Sequence, residues 1–425
     1  MTGAEQKTGP VQGGPARGSD ALCYRQLPSD LEAQIAADIR AGRMHPGSFR
    51  EEEAIRRDPR HDRSTLLRPS SIRDIDKILH LPLYNRYADK TQVFSFYNND
   101  DITRRALHVQ LVSRIGRNIG RLLRLNLDLI EAIALGHDLG HTPFGHAGES
   151  CLDRVLQQAA GLHFNHNVQS ARVLDRLFRR NVSLQTLDGI LCHNGEFAQS
   201  EYRPQRGKTF ADFDRAMERC TETGKTAIEH LVPMTLEGCV VRISDMIAYL
   251  GKDRQDAVTA RIIDSEDIFQ SSVIGRHNAE IINNLVVDIV TSSYGRDCLQ
   301  LSEEAYRDLR RSKAENFRYI YQNEDTNPEY GSIGPMFERL FAKLLDDLRR
   351  GDRDSIIWRH HLHFIEEQTR YYGGTDYEHE QPERIVADYM ASMTDDYFLD
   401  LYSWLFPDEP VGIRYHSYFH RRGEK

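Results

Sequence analysis

Along most of this chain, apolar side chains recur at three- and four-residue spacing, and two-residue alternation is scarce. That periodicity puts apolar residues on one face of a helix and rules out a sheet as the main element. In ITRRALHVQLVSRIGRNIGRLLRLNLDLIEAIALGHDLG (102–140), Leu107, Leu111, Ile115, Ile119 and Leu122 share a face. Asn126–Asp128 breaks the pattern, and Leu129–Leu135 begins a second helix that delivers His137 and Asp138 at its end. The same spacing predicts helices over 166–180, 184–193, 228–250, 276–292, 302–321, 334–350, 353–371 and 383–405. Residues 45–75 read as charged and irregular, and GGTDYEHEQPE (373–383) as a loop, from its glycines, proline and charges. The expected architecture is mostly α, with no internal repeat.

A chain of 425 residues, 40% hydrophobic and 28% charged, is globular and large enough for one big domain or two ordinary ones. The expected division is a flexible tail (1–22), an N-terminal extension (23–79), a core that carries the chemistry (80–260) and a C-terminal helical region (261–425) that packs on the core and serves assembly. A net charge of -9 argues against a nucleic-acid coat. Arg114, Arg117, Arg121 and Arg124 nevertheless form a basic stripe. A solvated face is the commoner meaning of such a stripe; its alternative is a seat for an allosteric nucleotide or single-stranded DNA. The six cysteines show no CxxC spacing, which argues against a thiolate zinc site and a disulfide framework. No apolar run is long enough to span a membrane, and the N-terminus lacks the order of a secretory signal, so a cytoplasmic protein is expected.

The chemistry concentrates in GHDLGHTPFGHAGE (136–149). Adjacent imidazole and carboxylate groups reach one divalent cation only where the backbone bends, and Gly136, Gly140 and Pro143 allow that. A lone His-Asp pair is common by chance. Here, however, seven of the 18 histidines (108, 137, 141, 146, 163, 166, 193) lie close together in sequence. Asp245 sits in an apolar helix, CVVRISDMIAYL (239–250), where an unpaired carboxylate is costly to bury. A cation partner is evenly matched by the plainer explanations, an ion pair with Arg242 or a solvated face. RGKT (206–209) and TGKT (223–226) end like phosphate-binding loops but lack the upstream glycine and strand.

The ordered set His108, His137-Asp138, Asp245 resembles the H…HD…D signature of the HD superfamily. More narrowly, RYADKTQVF (86–94), ALGHDLGHTPFGHAGE (134–149), FNHNVQSARVL (164–174), SDMIAYLGKD (244–253) and RIVADYMASMTDDY (384–397) resemble the deoxyguanosine triphosphate triphosphohydrolase family of HD-domain deoxynucleotide hydrolases. The resemblance covers roughly residues 80–405. It departs where the family often has Thr-His-Ser and this chain has Leu107-His108-Val109, and over the first 75 residues.

The resemblance implies a helical HD-domain core with additional C-terminal helices. It implies one divalent metal ion (Mn, Mg, Fe, Co, Ni or Zn) on His108, His137, Asp138 and Asp245. Water attack at the α-phosphorus would convert a deoxynucleoside triphosphate, with dGTP one candidate, to deoxynucleoside and triphosphate. His146 would donate the proton to the leaving oxygen, with Glu149 orienting its ring; a helix-capping contact is the plainer alternative for His146. His141, His166 and Arg105 match positions that meet the phosphates. Gln92, Tyr249 and Asp253 match sugar contacts, although Tyr249 also reads as a core aromatic. The family assembles as tetramers or hexamers, so a homo-oligomer is expected. The rival functions are another HD phosphohydrolase, acting on monophosphates, cyclic nucleotides or alarmones, and a regulatory protein that binds nucleotides or single-stranded nucleic acid.

Overall fold

The computed structural model describes residues 22–194, 198–323, 326, 329–374, 376–409 and 411–417. All but the last residue of the expected tail, 1–22, lies outside them. The architecture is mostly α, as the periodicity requires. Among the described residues the only ladder is a two-residue antiparallel pair, Glu201–Tyr202 with Leu299–Gln300.

Three helices lead in: α1 (Ser29–Arg40), α2 (Ser70–Leu79) and the single turn α3 (Pro82–Asn85). The stretch 45–75, expected to be irregular, runs into α2 from Ser70; Ile75 and Ile78 pack its inner face. Then follow α4 (Arg105–Leu123), α5 (Leu127–Gly136), α6 (Gly145–Ala160), α7 (His166–Arg172) and α8 (Leu184–Leu191). The helix expected over 166–180 continues past α7 only as a π turn, 173–177. The break before α5 is a cap: the Asn126 side chain accepts from the amides of Asp128 and Leu129, which would otherwise lack partners.

After α9 (Phe210–Thr223) and the single turn α10 (Lys225–Ile228) comes α11 (Leu236–Thr259). The expected 228–250 helix starts eight residues late because Pro233 interrupts it, and Thr235 then caps the new start. This 24-residue helix, about 36 Å long at 1.5 Å per residue, packs against α4, α5, α8 and α12 (Asn278–Ser293). The rest is α13 (Glu303–Asn316), α14 (Tyr330–Arg349), α15 (His363–Thr369), α16 (Pro382–Ala391) and α17 (Asp395–Leu405). The span 353–371 is α15 preceded by a π turn, 358–362; the span 383–405 is broken at 392–394; and the expected loop 373–383 holds a short 3-10 turn, 377–379.

One face was misjudged. Leu107 is exposed, and Leu111 and Leu122 are only partly covered. The buried stripe of α4 is Arg105, His108, Val109, Val112, Ile115, Gly116, Ile119 and Gly120. Gly116 and Gly120 let α5 close in: a Cβ on either would fall within 3 Å of Ile130 side-chain atoms. The main apolar core is continuous from Ile35 to Tyr402. A smaller cluster, including Phe94, Ile102, Ala257, Phe269 and Ile320, joins the end of α11 to the π turn at 317–321. Among the described residues no helix is long and apolar enough to cross a membrane.

A buried histidine–aspartate centre

The misjudged stripe is what builds the site. It carries His108 into the interior, with Arg105 one turn before it. Helix α5 ends at Gly136, and the turn that follows buries His137 and Asp138. Asp245 arrives from the middle of α11. His108 Nε2 lies 3.0 Å from Asp245 Oδ1 and 4.0 Å from Asp138 Oδ2. His137 Nε2 lies 3.4 Å from Asp138 Oδ1 and 3.8 Å from Asp245 Oδ1. The Nδ1–H of His137 donates to the Ala134 carbonyl at 2.7 Å, which leaves Nε2 as a buried acceptor with no hydrogen-bond partner among the described residues.

This donor set fits a divalent cation. Donors about 2.0–2.2 Å from a common ion stand some 3–4 Å from one another. The orphaned Nε2 is the lone pair such an ion would take. Burial alone would raise both carboxyls; the His108 hydrogen bond, with the imidazoles of His137 and His193 beside it, instead brings Asp245 down to about 2. His137 and Arg105 likewise hold Asp138 well below the usual carboxylate range against its burial. Both therefore face the centre as anions. The expected alternative partner of Asp245, Arg242, donates to the Leu231 carbonyl.

A second cluster adjoins the first. The backbone reverses at Phe144 and Gly145, both at positive φ, so that α6 opens with His146 and Glu149 on its first turn. Glu149 Oε1 accepts from the His166 amide at 2.7 Å and from its Nδ1 at 2.9 Å, and Oε2 lies 3.2 Å from His146 Nδ1. The His141 and His166 rings stack, with centroids 4.3 Å apart, and the His146 ring lies 5.2 Å from His141. Burial, then the Arg105 and His166 charges, push His141 well below the usual imidazole range. His146 is the exposed member, and it faces Glu149 rather than capping the helix. Gly140 holds the two clusters together: its amide donates to Ser170 Oγ at 2.8 Å, where α7 passes against it.

The remaining expected residues are placed differently. Arg105 is fully buried; it is ion-paired with Asp138, and its Nη2 donates to the Thr91 carbonyl at 3.1 Å. Gln92 has a buried Oε1 with no hydrogen-bond partner among the described residues. Tyr249 is half-buried against the core. Asp253, two turns beyond Asp245, accepts from Tyr321 at 2.6 Å; burial pushes its carboxyl up to about 7 in spite of that hydrogen bond. In the basic stripe, Arg117 pairs with Glu131 and Asp128, and Arg124 donates to the Arg43 carbonyl.

Sequence reasoning passed over two participants. His193, at the end of α8, stood in the histidine-rich span but had no role assigned; its Nε2 lies 3.2 Å from His166 Nε2 and 3.9 Å from Asp138 Oδ1. Tyr321 comes from the π turn after α13, and nothing in its sequence surroundings marks it.

Comparison with known proteins agrees with this geometry. Residues 105–250 match the HD domain, and residues 299–404 match the phosphohydrolase-associated domain. A deoxyguanosinetriphosphate triphosphohydrolase-like protein of Caldanaerobacter subterraneus subsp. tengcongensis is 32% identical over 91% of this chain and 96% of its own length. A protein of the same description from Desulfatibacillum aliphaticivorans is 30% identical over 81% of this chain and 90% of its own. Another, from Parvibaculum lavamentivorans, is 36% identical over 48% of this chain and 50% of its own. With its histidine–aspartate centre assembled and the first two of these relatives matched over nine-tenths or more of their own length, the chain belongs to the deoxyguanosinetriphosphate triphosphohydrolase-like family of HD-domain phosphohydrolases.

Proposed function

We propose that this phosphohydrolase cleaves deoxynucleoside triphosphates at the α-phosphorus, releasing deoxynucleoside and intact triphosphate. The observation that carries the reading is the contiguity of the buried His108/His137/Asp138/Asp245 set with the His146–Glu149–His166 cluster. The first set would hold one divalent cation, drawn from Mn, Mg, Fe, Co, Ni and Zn. That cation supplies Lewis-acid polarisation of a phosphoryl oxygen and acidifies water.

The protein's own groups do the rest. Glu149 accepts the His146 Nδ1 proton, which orients the ring and favours its protonated form, so Nε2 can deliver a proton to the departing 5′ oxygen. His141 and His166 line the phosphate path, and Arg105 keeps Asp138 anionic while adding positive charge beside it. Tyr249, Gln92 and Asp253 hold the sugar; a carboxyl that titrates near 7 can both accept and donate at a 3′ hydroxyl. The relatives' names favour dGTP among the substrates. Residues 80–260 form the catalytic core in this reading, and 261–425 pack on it and serve a homo-oligomer.

The test is incubation of the full chain with each deoxynucleoside triphosphate, singly and mixed, in Mg or Mn, with products resolved by chromatography. Deoxynucleoside and intact triphosphate are expected. Orthophosphate, or a nucleoside mono- or diphosphate, as the first product would refute attack at the α-phosphorus.

A further inference from the structure

His141 and His146 stand at the two ends of one chain reversal, 141–146, and two buried side chains grip it. Lys90 Nζ donates to the His141 carbonyl and, at 2.8 Å, to the Ala391 carbonyl at the end of α16. Asp395, the first residue of α17, accepts the Phe144 amide on Oδ1 at 3.0 Å from 251 residues further along the chain. Its Oδ2 accepts the Thr91 hydroxyl at 2.6 Å. Both grips lead to one place, the break at 392–394 between α16 and α17.

Phe144 is the residue at which such a grip matters. It holds φ at +61°, a left-handed conformation that strains any residue carrying a Cβ, and α6 starts from it. Its ring is fully buried against Phe337 of α14 and Phe398 of α17, with centroids 6.5 and 5.3 Å away. Ring and amide are thus both fixed by C-terminal helices. His146 follows two residues later in the first turn of α6, so the conformation of Phe144 sets where His146 and Glu149 stand against His141 and His166. Asp395 is itself buried, with no ion-pair partner among the described residues, and burial pushes its carboxyl up. A carboxyl so costly to bury is explained by what it holds.

We propose that Asp395 is a positioning residue for His146: its carboxyl holds the Phe144 amide, keeps the reversal left-handed there, and so aims the imidazole at the departing oxygen. The C-terminal region then completes the active site as well as packing on the core. The inference rests on the reading of His146 as proton donor, and the experiment separates the two.

The single-turnover rate of triphosphate release from the preferred deoxynucleoside triphosphate, with Mn(II), is measured for Asp395→Ala, Asp395→Asn, His146→Ala and the double variant Asp395→Ala/His146→Ala. Asp395→Ala should lose on the order of 10²-fold, as a misplacement of about 1 Å does. Asp395→Asn should restore most of the rate, because its oxygen still accepts from Phe144 and the Thr91 hydroxyl can turn to accept from its nitrogen. In the His146→Ala background no ring is left to aim, so Asp395→Ala should cost little further. An equal loss in both backgrounds, a wild-type rate in Asp395→Ala, or an Asn variant as slow as the Ala variant would overturn the positioning role and leave the reading of His146 intact. A wild-type rate in His146→Ala would overturn that reading and this inference with it. If Asp395→Ala does not fold, by circular dichroism, Thr91→Val takes its place in the same cycle, since it removes the hydroxyl that aims the carboxyl. A loss confined to the background that keeps His146 then sustains the inference, and an equal loss in both, or none, overturns it.

Discussion

Gly140→Ala should cripple the enzyme without touching a titratable group. A Cβ at Gly140 would lie 2.3 Å from the Ser170 backbone nitrogen and 2.5 Å from both the carbonyl carbon and the Cβ of Gln169. Non-bonded atoms of this kind settle at about 3.5–4.0 Å, so α7 must retreat by roughly 1 Å or more. The obstacle is backbone, so no side chain can swing aside. The retreat also stretches the 2.8 Å bond from the Gly140 amide to Ser170 Oγ, and it carries His166 away from Glu149, His141 and His193. Overpacking of this kind costs about 1–3 kcal/mol of stability, and a 1 Å displacement of a positioned group costs on the order of 10²-fold in rate. The assay is kcat and KM on the preferred triphosphate together with the thermal midpoint. Gly331→Ala is the control: it is helical, a Cβ there meets nothing within 4 Å, and it should be neutral or stabilising by about 0.5–1 kcal/mol. Wild-type kcat and thermal midpoint in Gly140→Ala would refute the argument that α7 is held at this contact.

Three further outcomes are expected. His137→Ala and Asp138→Ala should each lose bound divalent metal, counted by mass spectrometry, and turnover with it; full metal content in either variant would contradict the donor set. His146→Ala should keep its metal and lose about 10² to 10⁴ in rate, the usual share of acid–base catalysis; metal loss there would contradict its separate role. Asp253 has a folded pKa raised to about 7 from an unfolded 3.8, so between those values the folded state holds more protons and stability falls as pH rises. Asp253→Asn should therefore gain on the wild type by roughly 2–4 kcal/mol in urea denaturation between pH 5 and 8, and a pH-independent difference would refute the raised carboxyl.

The helical class, the metal-type donor set and the family were legible in the chain because each is written locally. Apolar spacing reports a helix, Asn126–Asp128 a break, and Gly136, Gly140 and Pro143 the bend that frees two neighbouring side chains. The reading failed where burial was not apolar. Arg105, His108, Ser113 and Gly116 lie on the inner face of α4, and a search for leucines chose Leu107 instead. Arg105 and His108 are buried because Asp138, in the turn after α5, and Asp245, on α11, meet them there. No neighbouring residue in the sequence announces that.

By itself, then, the sequence determined that the chain is helical, where most helices lie, and which histidines and carboxylates gather in the buried centre. Tertiary structure alone decided how those side chains face one another. His193 meets Asp138 only because α8 packs against α5, and Tyr321 meets Asp253 only through the π turn that follows α13. His137 and His193 turn Nδ1 to carbonyls three residues earlier, Ala134 and Ile190, whereas the Nδ1 of His166 is held by the Glu149 carboxylate of another helix. Spacing along a chain encodes which face a residue shares with its near neighbours. It does not encode which distant group will meet that residue, as Glu149 meets His166 across 17 residues of chain.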